Sequence, residues 1–179
     1  MTKKKAKGSL TVSLNELSQE INLKDYLGRK PTAKEKKFFA DLAIDTIENR
    51  SLDGKNINGK KFKKYSVEYA EFKGVTRDSV DMFLEGDMLE SMKRNKKRES
   101  EETVYIHLAD DLETKKGYNH MTRKSKANPL PKREFFGLND EEAKEIAKEI
   151  NKKAKKKDSS ISLAQLRASL DLLDIEQVE

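Results

Sequence analysis

Apolar residues recur at steps of three and four along the stretch Phe38, Phe39, Leu42, Ala43 and Ile47, with Thr46 on the same stripe. That period puts them on one side of a helix, so residues 33–50 are predicted to form a core-facing helix. Thr32 with Glu35 three residues later marks its start. In this capping box each side chain satisfies a free amide of the first turn. Ala143, Ile146, Ala147, Ile150 and Ala154 repeat the pattern, behind Asn139 and Glu142 in the same capping arrangement. A second amphipathic helix is predicted over about residues 140–156.

Period two appears most clearly in "ETVYIHLA", residues Glu102–Ala109. Val104, Ile106 and Leu108 face one way, and Tyr105 and His107 the other, as in a half-buried strand. A weaker alternation, Leu10–Leu14, predicts a short strand near the N-terminus. "YSVEYAEFKG" reads as a short helix that Gly74 terminates. "SLDGKNINGKK" before it is a loop, carrying Gly54 and Gly59 among Asn and Asp. "VDMFLEGDMLESMK" reads as a strand, a turn at Gly86, and a short helix or second strand. The basic "KRNKKRES" that follows is expected to be a hairpin tip or a disordered loop, and "GYNHMTRKSK" a polar loop.

These elements predict an α+β fold, a small antiparallel sheet flanked by two long amphipathic helices. Residues 31–157 are expected to hold the core domain. Residues 1–30 read as an N-terminal arm with a short strand, since "MTKKKAKG" has nothing to bury. After the linker-like "KKKDSS", residues 158–179 read as a helical appendage. Leu163, Leu166, Leu170 and Leu173 stand there at heptad-like spacing, suited to one amphipathic helix in a groove.

Composition changes this picture in one respect. Of 179 residues, 35 % are hydrophobic and 39 % charged, with a net charge of +6. A modest core is therefore expected beneath an extensive charged surface. The positive charge gathers in Lys3–Lys7, Lys93–Arg98 and Lys152–Lys157, while residues 158–179 are acidic. Basic runs of this kind suit nucleic acid, phosphate or an acidic partner as well as plain solvation. With no cysteine, disulfides and thiolate metal sites are excluded. No stretch approaches the roughly 20 apolar residues of a membrane span. The basic N-terminus lacks the apolar run of a signal peptide, so a soluble protein retained in the producing cell is expected.

Catalytic chemistry finds little support in the sequence. There are two histidines, His107 on the strand face opposite the aliphatic set and His120 in the expected polar loop. No set of His, Asp and Glu has metal-ligand spacing, and no phosphate loop or nucleophile elbow is present. Asp110, Asp111 and Glu113 offer a magnesium site for a nuclease, but acidic doublets after strands more often serve as turns or caps. No metal, cofactor or catalytic residue is expected. Tyr65, Tyr69 and Phe72 lie among lysines, but their helical spacing favours the core over a nucleic-acid platform.

One passage stands apart. "PLPKREFFGL", residues 129–138, holds two of the chain's three prolines, a Lys-Arg pair and an aromatic doublet that runs into a glycine. Its prolines disfavour helix and hold the chain extended, Arg133 suits a forked pair with a carboxylate, and Phe135 and Phe136 can anchor the final helix. Gly137 then permits a tight turn into the Asn139 cap. The ordered set Asp53-Gly54, "KFKKYSVEYAEFK" (Lys61–Lys73), "EGDMLESM" (Glu85–Met92), "YIHL", "GYNHMTR" and "LPKREFFGLNDEE" (Leu130–Glu142) resembles the tailed-phage virion-morphogenesis family. These are the neck, tail-completion and head–tail joining proteins. The likeness covers about residues 33–156 and is most specific in its closing element. Glu85 stands where the family has a threonine, and Phe62 comes late because "KNINGK" is inserted after Asp53-Gly54.

The resemblance implies a non-enzymatic structural protein of the virion. It would be made in the host bacterial cytoplasm and would assemble as a ring, a hexamer rather than a dodecamer, at the head–tail junction. Its implied partners are copies of itself, the portal or head-completion connector ring, and the tail tube or tail terminator, with non-specific contact to packaged DNA and no membrane. Arg133, Phe135 and Phe136 are expected at subunit interfaces, with Leu163, Leu166, Leu170 and Leu173 second and the basic arm docking on neighbours. Lys93, Arg94, Lys96, Lys97 and Arg98 are expected to face DNA in a channel or an acidic partner. The alternative reading is a DNA-binding accessory protein acting through its basic runs.

Overall fold

A computed structural model describes residues 4–80, 87–122 and 131–155. The fold is α+β. A four-stranded antiparallel sheet is built from β1 (Gly8–Val12), β2 (Leu17–Asn22), β3 (Met92–Arg94) and β4 (Thr103–Leu108), in the order β1-β2-β4-β3. Helices α1 (Lys24–Leu27), α2 (Ala33–Leu52), α3 (Val67–Lys73), α4 (Asp87–Glu90) and α5 (Asp111–Thr122) follow the chain, and α6 occupies residues 140–155. A short 3-10 turn, Lys96–Arg98, joins β3 to β4.

The register decides which side of the sheet carries the core. Gln19 pairs with Ile106 and Ile21 with Val104, so Leu17, Gln19, Ile21, Val104, Ile106 and Leu108 share one face, and all are buried. Directly opposed residues lie on the same side of an antiparallel pair. Leu10, Val12 and Met92 continue that face on the flanking strands. α2 lies across β3 and β4 and sends Phe39, Ala43 and Ile47 into the core. The predicted capping box is present, with Thr32 Oγ1 accepting from the Glu35 amide and Glu35 accepting from the Thr32 amide. α5 crosses the sheet at Gly117, where an added Cβ would come within 2.8 Å of Leu17 and Leu108. α6 runs antiparallel to α2: Glu142 meets Arg50 at one end and Lys153 covers the Phe38 ring at the other.

Several expectations need correction. Residues 1–30 are not an appendage, because their described part supplies two of the four strands, with β2 inside the sheet. Nor do residues 4–8 form a free arm. Ala6 is buried, its amide donates to the Leu138 carbonyl, and the Asp140 amide donates to the Lys4 carbonyl. Lys7 is tied down on both sides, its amide donating to the Tyr26 hydroxyl and its carbonyl accepting from Asn22. The first strand starts at Gly8 and ends at Val12, leaving Leu14 exposed in the turn. "GYNHMT" is helical, not a loop, so His120 lies on α5. The short helix before Gly74 matches its prediction, with Ser66 capping it and Gly74 left-handed. Of the segment around Gly86, residues 81–86 lie outside the described residues.

Candidate functional site

The segment 131–139 runs through the interior, and its backbone explains its composition. An irregular buried strand of chain must find partners for every amide and carbonyl. Arg50 supplies two of them. From the last turns of α2, its guanidinium donates to both carboxylate oxygens of Glu142 at 2.7 Å and to the carbonyls of Phe135 at 2.6 Å and Gly137 at 2.8 Å. Gln19 bonds both groups of Leu138, accepting from its amide at 2.7 Å and donating to its carbonyl at 3.2 Å. The Asn139 side chain donates to the Ile57 carbonyl while its oxygen caps α6, accepting from the Glu141 and Glu142 amides. Glu142 completes the second predicted capping box by accepting from the Asn139 amide.

Phe135 and Phe136 are fully buried, edge to face at 6.3 Å, and Arg133 is 6 % exposed with its guanidinium over the Tyr65 ring. A contact with a neighbouring subunit needs exposed side chains. These three belong instead to the subunit's own interior, where the phenylalanines anchor α6 as their apolar character requires. The proposed interface leucines, Leu163, Leu166, Leu170 and Leu173, lie outside the described residues.

The sheet's other face is polar. Beside it, in the turn before β2, Glu16 accepts from Ser18 Oγ at 2.6 Å, from Arg98 at 2.7 Å and from the Tyr105 hydroxyl. Arg98 also lies 4.4 Å over the Tyr105 ring, so Tyr105 is buried although it points away from the helices. The hydrogen bonds from Ser18 and Tyr105, with the Arg98 charge, hold the Glu16 carboxyl below its usual range. Burial pushes the Tyr105 hydroxyl up, reinforced by its bond to Glu16, and lowers the half-buried His107. A hydroxyl pushed upward keeps its proton, so this cluster fastens the turn before β2 to β4.

The basic run divides in two. Arg94 and Arg98 are committed, Arg94 in a forked pair with Glu99 at 2.6 Å and Arg98 with Glu16. Glu99 also takes Lys36, and although burial opposes ionisation, Arg94 and Lys36 bring its carboxyl below the usual value. Lys93, Lys96 and Lys97 are exposed and make no ion pair among the described residues. The run is thus an ordered strand end and 3-10 turn, not a disordered tip.

The acidic doublet acts as a cap. Asp110 accepts from the Leu112 and Glu113 amides at the start of α5, and Glu113 pairs with Lys116. Among the described residues no group of three or more His, Cys, Asp or Glu is placed to hold a metal ion, and no helix is long and apolar enough to cross a membrane. Of the three aromatics near lysines, Tyr65 is buried and Tyr69 half-buried as expected. Phe72 is 77 % exposed, because α3 is short and turns that position to solvent.

Sequence reasoning missed Arg50 and Gln19. The clue was weak in each case: a lone arginine in the buried stripe of α2, and a glutamine at an apolar step of an alternating segment. No family model matches the chain, and no curated protein or solved structure matches it.

Proposed function

We propose that this chain is a structural subunit of a tailed-phage head–tail connector, a neck or tail-completion protein that forms a ring through which DNA passes. The observation that carries the reading is the ordered motif set closing in "LPKREFFGLNDEE" (Leu130–Glu142). Within the described part of that element, Arg133, Phe135, Phe136, Gly137, Asn139 and Glu142 are each committed to internal packing, turning or capping. A motif spent on building the subunit specifies a scaffold more than a reaction. Surface charge then does the recognising, and Lys93, Lys96 and Lys97 are the cations of the basic run that make no ion pair among the described residues. The ring is a hexamer, and its further partners are the portal or head-completion ring on one side and the tail tube or terminator on the other. Rings of this kind need heterologous contacts, two different surfaces of one subunit that fit each other.

The same three lysines support a second reading, a DNA-binding accessory protein working without a ring. Light scattering and negative-stain images of the full chain separate the two. The connector reading expects a mass several times 20.6 kDa and closed rings, alone or on mixing with a portal ring. A single-subunit mass in both conditions, with DNA affinity that falls steeply with salt, would replace it by the second.

A further inference from the structure

Two surfaces of this subunit carry charge that its described residues do not neutralise. On the outer side of α2 and the neighbouring α4, Asp45, Glu48 and Glu90 form no ion pair among the described residues. Burial, and then the like charges of Asp45 and Glu90, hold the Glu48 carboxyl above its usual value, so the three crowd one another. Several exposed carboxylates elsewhere take partners, as Asp41 does Lys37, Glu101 Lys30, Glu102 Lys24 and Glu134 Lys132; what sets this face apart is that its three carboxylates crowd one another. One turn beyond Glu48, Leu52 is 46 % exposed, which adds an apolar contact to the acidic face. The second surface is the β3 end and its 3-10 turn, where Lys93, Lys96 and Lys97 stand exposed. The turn that carries them is held rigid by the Arg94–Glu99–Lys36 cluster, whose Glu99 side chain is only 2 % exposed. Preorganised charge of this kind loses little freedom on contact.

We infer that these surfaces are mates: the acidic face of α2 and α4 in one copy receives the Lys93–Lys97 corner of a second copy. The second copy is the chosen occupant because three uncommitted carboxylates and three uncommitted lysines occur on separate elements of the same chain. Complementary potentials steer and align association, while like charges across an interface oppose it. This rests on the connector reading above and names the subunit contact within it.

Two charge-reversed variants of the full chain test it, measured by light scattering across concentration. One carries Asp45→Lys, Glu48→Lys and Glu90→Lys; the other carries Lys93→Glu, Lys96→Glu and Lys97→Glu. Each alone is expected to raise the concentration of half-assembly by about tenfold or more. Mixed in equal amounts, the two variants are expected to associate again, since each then presents what the other's altered surface lacks. The chain with all six reversals should do so by itself. Salt near 0.5 M should weaken wild-type assembly, because exposed charges are screened beyond a few ångströms at such ionic strength. Circular dichroism checks that the variants stay folded, as substitution at surface positions should allow. Reversed variants that assemble like the wild type, or folded variants whose mixture and six-fold combination stay apart, overturn the inference and leave the ring standing. A wild-type chain that never assembles overturns the connector reading itself.

Discussion

Replacing Arg50 by alanine tests the central structural claim, that one guanidinium holds the irregular segment 131–139 in place. Arg50 is 7 % exposed and makes four hydrogen bonds of 2.6–2.8 Å, two to Glu142 and two to main-chain carbonyls. Removal leaves the Glu142 carboxylate, itself 17 % exposed, without its cation. Breaking one side of a buried ion pair costs about 3–5 kcal/mol. Each orphaned buried carbonyl adds about 1–3 kcal/mol unless water enters the space left by the side chain, which offsets part of it. A net loss of about 4 kcal/mol is expected, a large share of the roughly 5–15 kcal/mol that holds a domain together. In a urea titration followed by circular dichroism, the midpoint should fall by about 2 M for a slope of about 2 kcal/mol per M. Arg50→Lys should recover less than half of this, since an ammonium cannot fork between a carboxylate and two carbonyls. Combining Arg50→Ala with Glu142→Gln should cost less than the sum of the two, by about 1–3 kcal/mol. A midpoint shift below about 0.5 M for Arg50→Ala would refute the clasp, and strict additivity would refute the pairing within it.

Two further outcomes follow from the same coordinates. Gly54→Ala should destabilise by about 2 kcal/mol or more, because φ is +70° and the new Cβ would sit 2.1 Å from the Val80 carbonyl oxygen, a main-chain atom that cannot swing aside; thermal unfolding reads the loss. Glu35→Gln should be destabilising at neutral pH, with the difference from wild type shrinking below pH 4.5 and vanishing only below about pH 2. The hydrogen bond from Arg29, helped by those from Thr32, draws the Glu35 carboxyl down from 4.5 to about 2. A group depressed on folding contributes stability above its unfolded value, and that contribution disappears as pH falls from about 4.5 toward 2. Parallel acid-unfolding curves for Glu35→Gln and the wild type would contradict this.

The helices with strong periodicity and reciprocal caps were legible because local rules and tertiary packing agree there, at Thr32 and Glu35 and at Asn139 and Glu142. β4 was legible for the same reason, its aliphatic residues alternating without interruption. β2 was not, because Gln19 breaks the alternation at an inward position. Its amide is needed there for a backbone 119 residues away, and no local pattern records that demand. α5 hid behind Gly117, which reads as a helix breaker but lets the helix approach Leu17 and Leu108. The candidate contacts divided along the same line. Phe135 and Phe136 looked like anchors and are anchors, but inward, since sequence reveals that an aromatic must be buried and not by which chain.

This division bears on where function resides. The polar residues Glu16, Ser18, Tyr105, Asp110 and Arg133 are engaged in bonds, caps or stacking that shape the subunit. The Glu16 carboxyl is held below its usual range beside a Tyr105 hydroxyl held above its own, so the proton of their shared bond stays on Tyr105. Among the groups that the described residues leave unpaired, three lysines gather at one strand end and three carboxylates on one helix pair, while Phe72 stands almost clear of the fold. A surface with unpaired charge of both signs on separate elements gains most from a partner carrying the same pattern, and the nearest such partner is another copy. The subunit contact within the connector reading therefore turns on whether these charges meet across a subunit boundary, and rescue between oppositely reversed variants is the result that would require it.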